Sequence, residues 1–247
     1  MQNYNLGFIK NEDLFKHTRD TAKKYRFKID LKKFNKNLID PIKLTFDTKI
    51  YNKSIKEIIE SEIIRQMDKS NTNHIGYFHQ NIFKYINPKW KVPKEGFDLI
   101  NEEDKIFVEM KNKHNTMNSS SSQKTYIKMQ GMLLKNAKNR CFLVEVIAKK
   151  SQNIPWKISL DGITNEHEFI RRVSIDKFYE IVTGDKYAFK KLCEALPKVL
   201  DDVVASLKSD NIENSVFKEL NNISPNLLQS LYLLSFNKYE GFDEFKL

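Results

Sequence analysis

A central stretch of this chain, in which short apolar segments alternate with polar ones, narrows the possible folds. Residues 101–104 form a polar turn that would join two of these segments into a hairpin, and a helix is predicted over about 121–139. Helical patterns precede and follow this stretch. The order predicts an α/β (α+β) fold, with a mixed central sheet flanked by helices. The segments with the length and composition of strands are 90–92, 97–100, 106–110, 141–148 and 156–160.

The helical segments on either side carry start and stop signals. Over 54–68, Ser54 can cap the helix and Glu57 stands three residues on, before isoleucines at helical spacing. A second helix is predicted over 74–86, ended by Asn-Pro. Helices dominate again after residue 174, and 185–207 is the longest of them.

Length and composition favour one globular domain over the 247 residues, because 40% of them are hydrophobic and no repeat is present. Cys141 and Cys193 lack metal-ligand spacing. The first ten residues have no apolar core, and no run approaches the ~20 apolar residues of a membrane helix. We therefore expect a reduced, soluble, cytoplasmic protein.

The charge distribution points to a polyanionic partner. The formal net charge is +10 and the pI about 9.3, which is typical of nucleic-acid-binding proteins, although an AT-rich genome would also enrich lysine. The position of the charge is more specific. Residues 110–144 contain seven Lys or Arg and no Asp or Glu. Such a segment is suited to contact phosphates.

The predicted hairpin carries two carboxylates and an amine. Asp98 lies on its first strand, and Glu109 and Lys111 lie on the second, where alternation directs them to the same face. A turn of this length can bring Asp98 beside Glu109. Mg²⁺ prefers such carboxylate ligands, and a lysine can position or deprotonate the attacking water in phosphodiester hydrolysis. An ordinary surface hairpin with ion-paired side chains is the alternative.

The segment after the hairpin is predicted to contact DNA. Residues 112–120 are rich in amides and hydroxyls, which can read base edges and hold phosphates. On the following helix, a shared arc contains Lys124, Lys128, Lys135 and Lys138. A flexible loop and a solvated lysine face are the alternatives. The candidate DNA contacts are Lys113, Asn115, Asn118, Ser120, Lys124 and Lys128.

Three further side chains lie on predicted helices. Glu62 falls on the apolar face of its helix, where a carboxylate needs a partner, so it either reaches the metal shell or forms an ion pair at the rim of the core. Gln80 could support the metal shell or contact DNA. His79 lies on an apolar face, and a core histidine is favoured over a catalytic one.

These motifs together resemble the type II restriction endonucleases that recognise GGNCC, a family of the PD-(D/E)XK nuclease superfamily. The resemblance covers about 55–205, and the run KNKHNTMNSS at 111–120 is its most particular part. Two departures are present: Gly96-Phe97 precedes the aspartate where the superfamily has proline, and Gln80 stands where many members have glutamate. The other matching pieces are 75–80, 96–98, 108–111, 173–179 and 182–185.

The resemblance implies a restriction-endonuclease-like catalytic core over about 55–205, with helical additions at both ends. It also implies Mg²⁺, double-strand cleavage of DNA within a short palindrome by a homodimer, and a cognate DNA methyltransferase as the genetic partner. Its catalytic residues would be Asp98, Glu109 and Lys111. A repair or junction-resolving nuclease with the same residues is one alternative, and an inactive DNA-binding protein is another.

Overall fold

The computed structural model describes residues 3–25, 28–114, 116–207, 213–242 and 244–247. By their contacts, the described residues within 1–23 and 75–207 form one compact unit, and those within 24–74 and 208–247 form a second. The elements in chain order are α1 (Asn11–Ala22), β1 (Lys28–Ile29), α2 (Leu31–Asn35), α3 (Pro41–Ile50), α4 (Ile55–Asn81), α5 (Phe83–Ile86), β2 (Leu99–Asn101), β3 (Ile106–Lys113), α6 (Ser119–Lys135), β4 (Arg140–Ile147), β5 (Asn153–Pro155), β6 (Ile158–Leu160), β7 (Ile163–Asn165), β8 (Ile170–Ser174), α7 (Ile175–Thr183), α8 (Ala188–Ser206), β9 (Glu213–Asn214), α9 (Val216–Ile223) and α10 (Leu227–Phe236).

The first unit is built on a five-stranded sheet of order β2-β3-β4-β8-β5. Strands β3, β4 and β8 are parallel, whereas β2 and β5 pair antiparallel at the two edges. The predicted mixed central sheet flanked by helices is thereby confirmed. Because the three parallel strands end at the same side, the residues that follow them are brought together there.

The two faces of this sheet are buried by different layers. Val108 and Met110 of β3 pack into a core that also contains residues of α1, α7 and α8. Phe107 packs into the other core, which contains Tyr126 and Met129 of α6. Since side chains alternate along a strand, Glu109 and Lys111 project from the α6 face of β3.

Several boundaries differ from the sequence-based predictions. The two helices predicted over 54–68 and 74–86 are one long helix, α4, because no Pro or Gly interrupts 68–74, and the short α5 follows it. The predicted strand 90–92 contributes only an isolated bridge between Lys91 and Ile100. Helix α6 ends at Lys135 rather than near 139, because Asn136 adopts an extended backbone.

The second unit is mainly helical. Its core is formed by side chains of α2, α3, α4, α9 and α10, among them Phe34, Ile59 and Leu231. The short strands β1 and β9 pair in parallel. In the part of the chain that the structure describes, no helix is long and apolar enough to cross a membrane.

Candidate active site

The predicted hairpin forms between β2 and β3, and its turn is held by Asn101. The amide of Asn101 donates to Asp104 Oδ2 (2.8 Å), and its side-chain oxygen accepts from the Asp104 N–H (3.1 Å). Lys105 completes the turn with a positive φ of 56°. Turn residues that bond their own backbone favour this reversal over continued extension.

Asp98 is attached to both residues that flank Glu109. Its backbone N–H donates to the Val108 carbonyl (2.9 Å), and its Oδ2 accepts from the Met110 N–H (2.7 Å). A carboxylate that accepts a backbone N–H has its position set by the sheet itself. The structure therefore brings Asp98 next to Glu109, as the hairpin motif predicts.

The Glu109 carboxylate binds the ammonium groups of two lysines. Lys111 Nζ lies 2.8 Å from its Oε1, and Lys128 Nζ of α6 lies 2.6 Å from its Oε2. The Glu109 side chain is only 13% exposed. These ion pairs are therefore screened less by water than surface pairs are.

This environment shifts the pKa values of Asp98 and Glu109 in opposite directions. Burial raises the pKa of Asp98, the charge of Glu109 raises it further, and the Met110 hydrogen bond opposes the change. Burial also disfavours ionised Glu109, but the hydrogen bonds from Lys111 and Lys128 outweigh it and lower the pKa of Glu109. Neighbouring carboxyl groups with separated pKa values are typical of functional sites.

The donor set fits a hard divalent cation. Asp98 and Glu109 supply two carboxylates, and Mg²⁺ sites commonly use one or two carboxylates completed by water and phosphate oxygens. Among the described residues, no group of three or more His, Cys, Asp or Glu side chains is placed to bind a metal ion. Two carboxylates are enough for an Mg²⁺ site whose other ligands are water and phosphate oxygens.

Glu62 and Gln80 are the two candidates for a further metal-shell residue. Glu62 lies in the second unit, where Arg65 donates to both of its oxygens (2.6 Å each) and Gln66 donates to Oε1 (2.9 Å). It forms the ion pair that was one of its two predicted roles. Gln80 is half-buried and lies one turn beyond Gly76, where a Cβ would stand 3.5 Å from Asn112. Asn112 alternates with Lys111 and so projects from the other sheet face.

The predicted DNA contacts lie at the end of β3 and the start of α6. Lys113, Ser120 and Lys124 are exposed. Asn118 is the N-cap of α6, and its Oδ1 accepts from the Ser121 N–H (2.8 Å). Asn115 lies outside the described residues. Lys128 does not share the outward direction of Lys124, because its ammonium is bound at Glu109.

The sequence motifs did not predict a charged cluster that Glu145 forms with Arg172 and His114. Glu145 of β4 is 1% exposed and is the register partner of Lys111. Its Oε1 accepts from Arg172 (2.6 and 3.0 Å), and its Oε2 lies 3.0 Å from His114 Nδ1. The signal was present: Glu145 is the single acid in an apolar strand, and a buried charge needs partners.

Comparisons with known proteins identify the family of this chain. The model of the Eco47II restriction endonuclease family matches residues 6–205. The type II restriction enzyme Sau96I of Staphylococcus aureus is 35% identical over 221 residues, covering 85% of each chain. The type II restriction enzyme Eco47II of Escherichia coli is 31% identical over 213 residues, covering 81% of this chain and 88% of its own. The predicted resemblance is confirmed, and the chain is a restriction endonuclease that belongs to the Eco47II restriction endonuclease family.

Proposed function

We propose that this endonuclease cuts both strands of DNA at a short GGNCC-like palindrome, with Mg²⁺ held by Asp98 and Glu109. One observation carries the proposal: Asp98 is hydrogen-bonded to both neighbours of Glu109, and Lys111 binds Glu109 from the same strand. The relatives, which are type II restriction enzymes by name, support cleavage at a defined site. The GGNCC specificity is supported by the resemblance of the run 111–120.

The protein's own groups have distinct roles in this proposal. Bound Mg²⁺ would stabilise charge on the scissile phosphate and lower the pKa of a coordinated water. Asp98 presents a carboxylate whose orientation the Met110 N–H sets, so little reorganisation is needed on binding. Lys111, freed from Glu109 Oε1, would orient the attacking water, assist its deprotonation, or donate hydrogen bonds to the developing phosphate charge.

The surface beside this centre is suited to DNA. The exposed side chains of Lys113, Ser120 and Lys124 lie on the segment without acids, and phosphates favour such cations and hydroxyls. Asn118 keeps its amide N–H donors for a base edge while its oxygen caps α6. We also assign Asn115 to this contact, from its position in the polar run.

The rest of the assembly follows from a palindromic substrate. Each chain carries one Asp98–Glu109–Lys111 centre, so cutting two strands symmetrically favours a homodimer whose two-fold axis matches that of the DNA. A host that contains such an enzyme must protect its own sites, so we expect a cognate DNA methyltransferase. The DNA substrate also makes the cytoplasm the expected compartment.

Plasmid cleavage tests this function directly. We expect discrete fragments with Mg²⁺ and none with a chelator, and the sequenced ends should share one short palindrome. Asp98→Asn provides the matched inactive protein from the same preparation. A random smear, nicking only at branched DNA, or cleavage that survives the chelator would contradict the proposal.

A further inference from the structure

Lys128 sits in a binding site for its ammonium group rather than in solvent. Its Nζ lies 2.6 Å from Glu109 Oε2, 3.1 Å from the Gly96 carbonyl and 4.2 Å from the centroid of the Phe97 ring. A carboxylate, a carbonyl and an aromatic face are three groups that attract cations. Gly96 adopts a φ of 93°, which a side chain rarely permits, so a glycine suits the turn that presents this carbonyl.

The position of Lys128 is set by the packing of α6. Tyr126 and Met129 on either side of it are fully buried in the core between α6 and the sheet. The Lys128 side chain itself is 36% exposed, whereas Lys124 and Lys135 are on the exposed part of α6. The helix therefore presents one lysine to the carboxylates and leaves others outside.

The resulting charge balance disfavours a divalent cation in the DNA-free enzyme. Ionised Asp98 and Glu109 contribute two negative charges, and Lys111 and Lys128 contribute two positive ones, so the four side chains sum to zero. Both oxygens of Glu109 are also occupied by ammonium groups. A metal ion must displace at least one of them to use this carboxylate.

We propose that Lys128 is a placeholder cation of the active centre, which competes with the divalent metal for Glu109 Oε2 until DNA is bound. This inference rests on the proposed metal site at Asp98 and Glu109. When a phosphate arrives, it offers the Lys128 ammonium another anionic partner, and Glu109 Oε2 becomes available to the metal. Metal binding and DNA binding then favour one another, as linkage requires.

Mg²⁺ titration of the DNA-free protein tests the competition without any cleavage. Isothermal calorimetry should show that Lys128→Met, which keeps most of the side-chain volume, binds Mg²⁺ about tenfold or more tightly than wild type, because one competing charge is gone. Lys128→Arg keeps the charge and should stay near the wild-type affinity. Lys135→Met removes an exposed lysine from the same helix and serves as the matched control.

The outcomes separate this inference from the metal site on which it rests. An Mg²⁺ affinity of Lys128→Met that is equal to or weaker than wild type, or a rise of equal size in Lys135→Met, overturns the placeholder role. If Asp98→Asn fails to weaken Mg²⁺ binding by Lys128→Met, the metal lies elsewhere and the proposed site itself is wrong. Thermal unfolding of each variant establishes that the comparison is made between folded proteins.

Discussion

At the scale of single residues, the main feature of the candidate active centre is that two lysines bind the Glu109 carboxylate. Its carboxylate receives Lys111 from the same strand and Lys128 from α6, and Asp98 is anchored to the backbone on either side of it. The two kinds of charged group in this cluster act differently on the ligands. Carboxylates attract a metal ion and repel phosphate, whereas ammonium groups repel a metal ion and attract phosphate. Substitutions here should therefore affect binding and chemistry differently.

Removal of either carboxylate should abolish cleavage and leave DNA binding intact. We expect Asp98→Ala or Glu109→Ala to lose cutting at ordinary Mg²⁺ while the affinity for a DNA duplex, measured without metal, stays the same or rises. The matched control is Glu102→Ala, since Glu102 is an exposed acid of the same hairpin turn, paired with Lys91. Cleavage retained by either active-centre variant would refute the assignment.

Lys111→Ala should slow the chemical step without weakening metal binding. Its amine is 2.8 Å from Glu109 Oε1, an oxygen of the proposed metal-binding carboxylate, which places it where an attacking water could be oriented. We expect the single-turnover rate to fall by roughly 10²–10⁴-fold, the usual contribution of a positioned acid–base group. A rate close to wild type would show that Lys111 is only a counter-ion of Glu109.

At the scale of elements, α6 connects the segment 112–118, which is predicted to contact DNA, to strand β4 of the sheet. Its N-terminus is capped by Asn118, one face carries Lys124 toward solvent, and the buried face fixes the helix on the sheet. The cap and the lysine face can be tested separately, because capping needs a side-chain acceptor and phosphate contact needs a cation.

Lys124→Ala should weaken binding to cognate and random duplexes alike. Loss of one phosphate contact should reduce the slope of log affinity against log salt by up to about 0.9, measured by titrations at several salt concentrations. Lys190→Ala is the control, since Lys190 is an exposed lysine of α8 on the opposite side of the sheet. An unchanged slope for Lys124→Ala would place the DNA elsewhere.

Asn118 should combine capping with recognition. Asn118→Ala removes both functions, and loss of a cap typically costs about 1 kcal/mol of stability. Asn118→Ser retains an acceptor for the Ser121 N–H and should restore the stability but not the preference for cognate over random DNA. Urea unfolding and competition binding measure the two effects. Full recovery of discrimination in the serine variant would restrict Asn118 to capping.

At the scale of the whole molecule, we expect the stability to vary with pH because of His79, a histidine outside the candidate site. His79 lies on α4, and its Nδ1 is buried without a hydrogen-bond partner in the described residues. Burial, reinforced by the charge of His17, lowers the pKa of His79 to about 4 from an ordinary value near 6.5. The folded protein therefore takes up a proton less readily than the unfolded chain.

This shift predicts a loss of stability in mild acid. The contribution of His79 is fully present above pH 6.5 and is lost as the pH falls toward 4, because only the unfolded state gains the proton in that range. His79→Asn should remove roughly 1–3 kcal/mol of the difference in unfolding free energy between pH 7 and pH 4.5, measured in urea. Identical pH dependence in wild type and variant would show that His79 has the same pKa in the folded and unfolded states.

Local sequence patterns were sufficient to predict the class of fold and the candidate catalytic motif. Strand alternation places Glu109 and Lys111 together within three residues, and the polar turn at 101–104 brings Asp98 to them, so only local geometry was needed. The absence of acids over 110–144 is likewise visible without a fold. The single domain over the 247 residues and the catalytic core over about 55–205 remain predictions.

Which distant charges meet depends on how the elements pack, and local patterns did not predict it. Lys128 reaches Glu109 because Tyr126 and Met129 fix the rotation of α6 on the sheet, and helical periodicity alone grouped Lys128 with the outward lysines. Glu145 meets Arg172 because β4 and β8 pair in parallel, across a register that no local pattern encodes. Periodicity assigns each side chain a face of its own element, but packing between elements sets which faces oppose each other and which charges are then buried together.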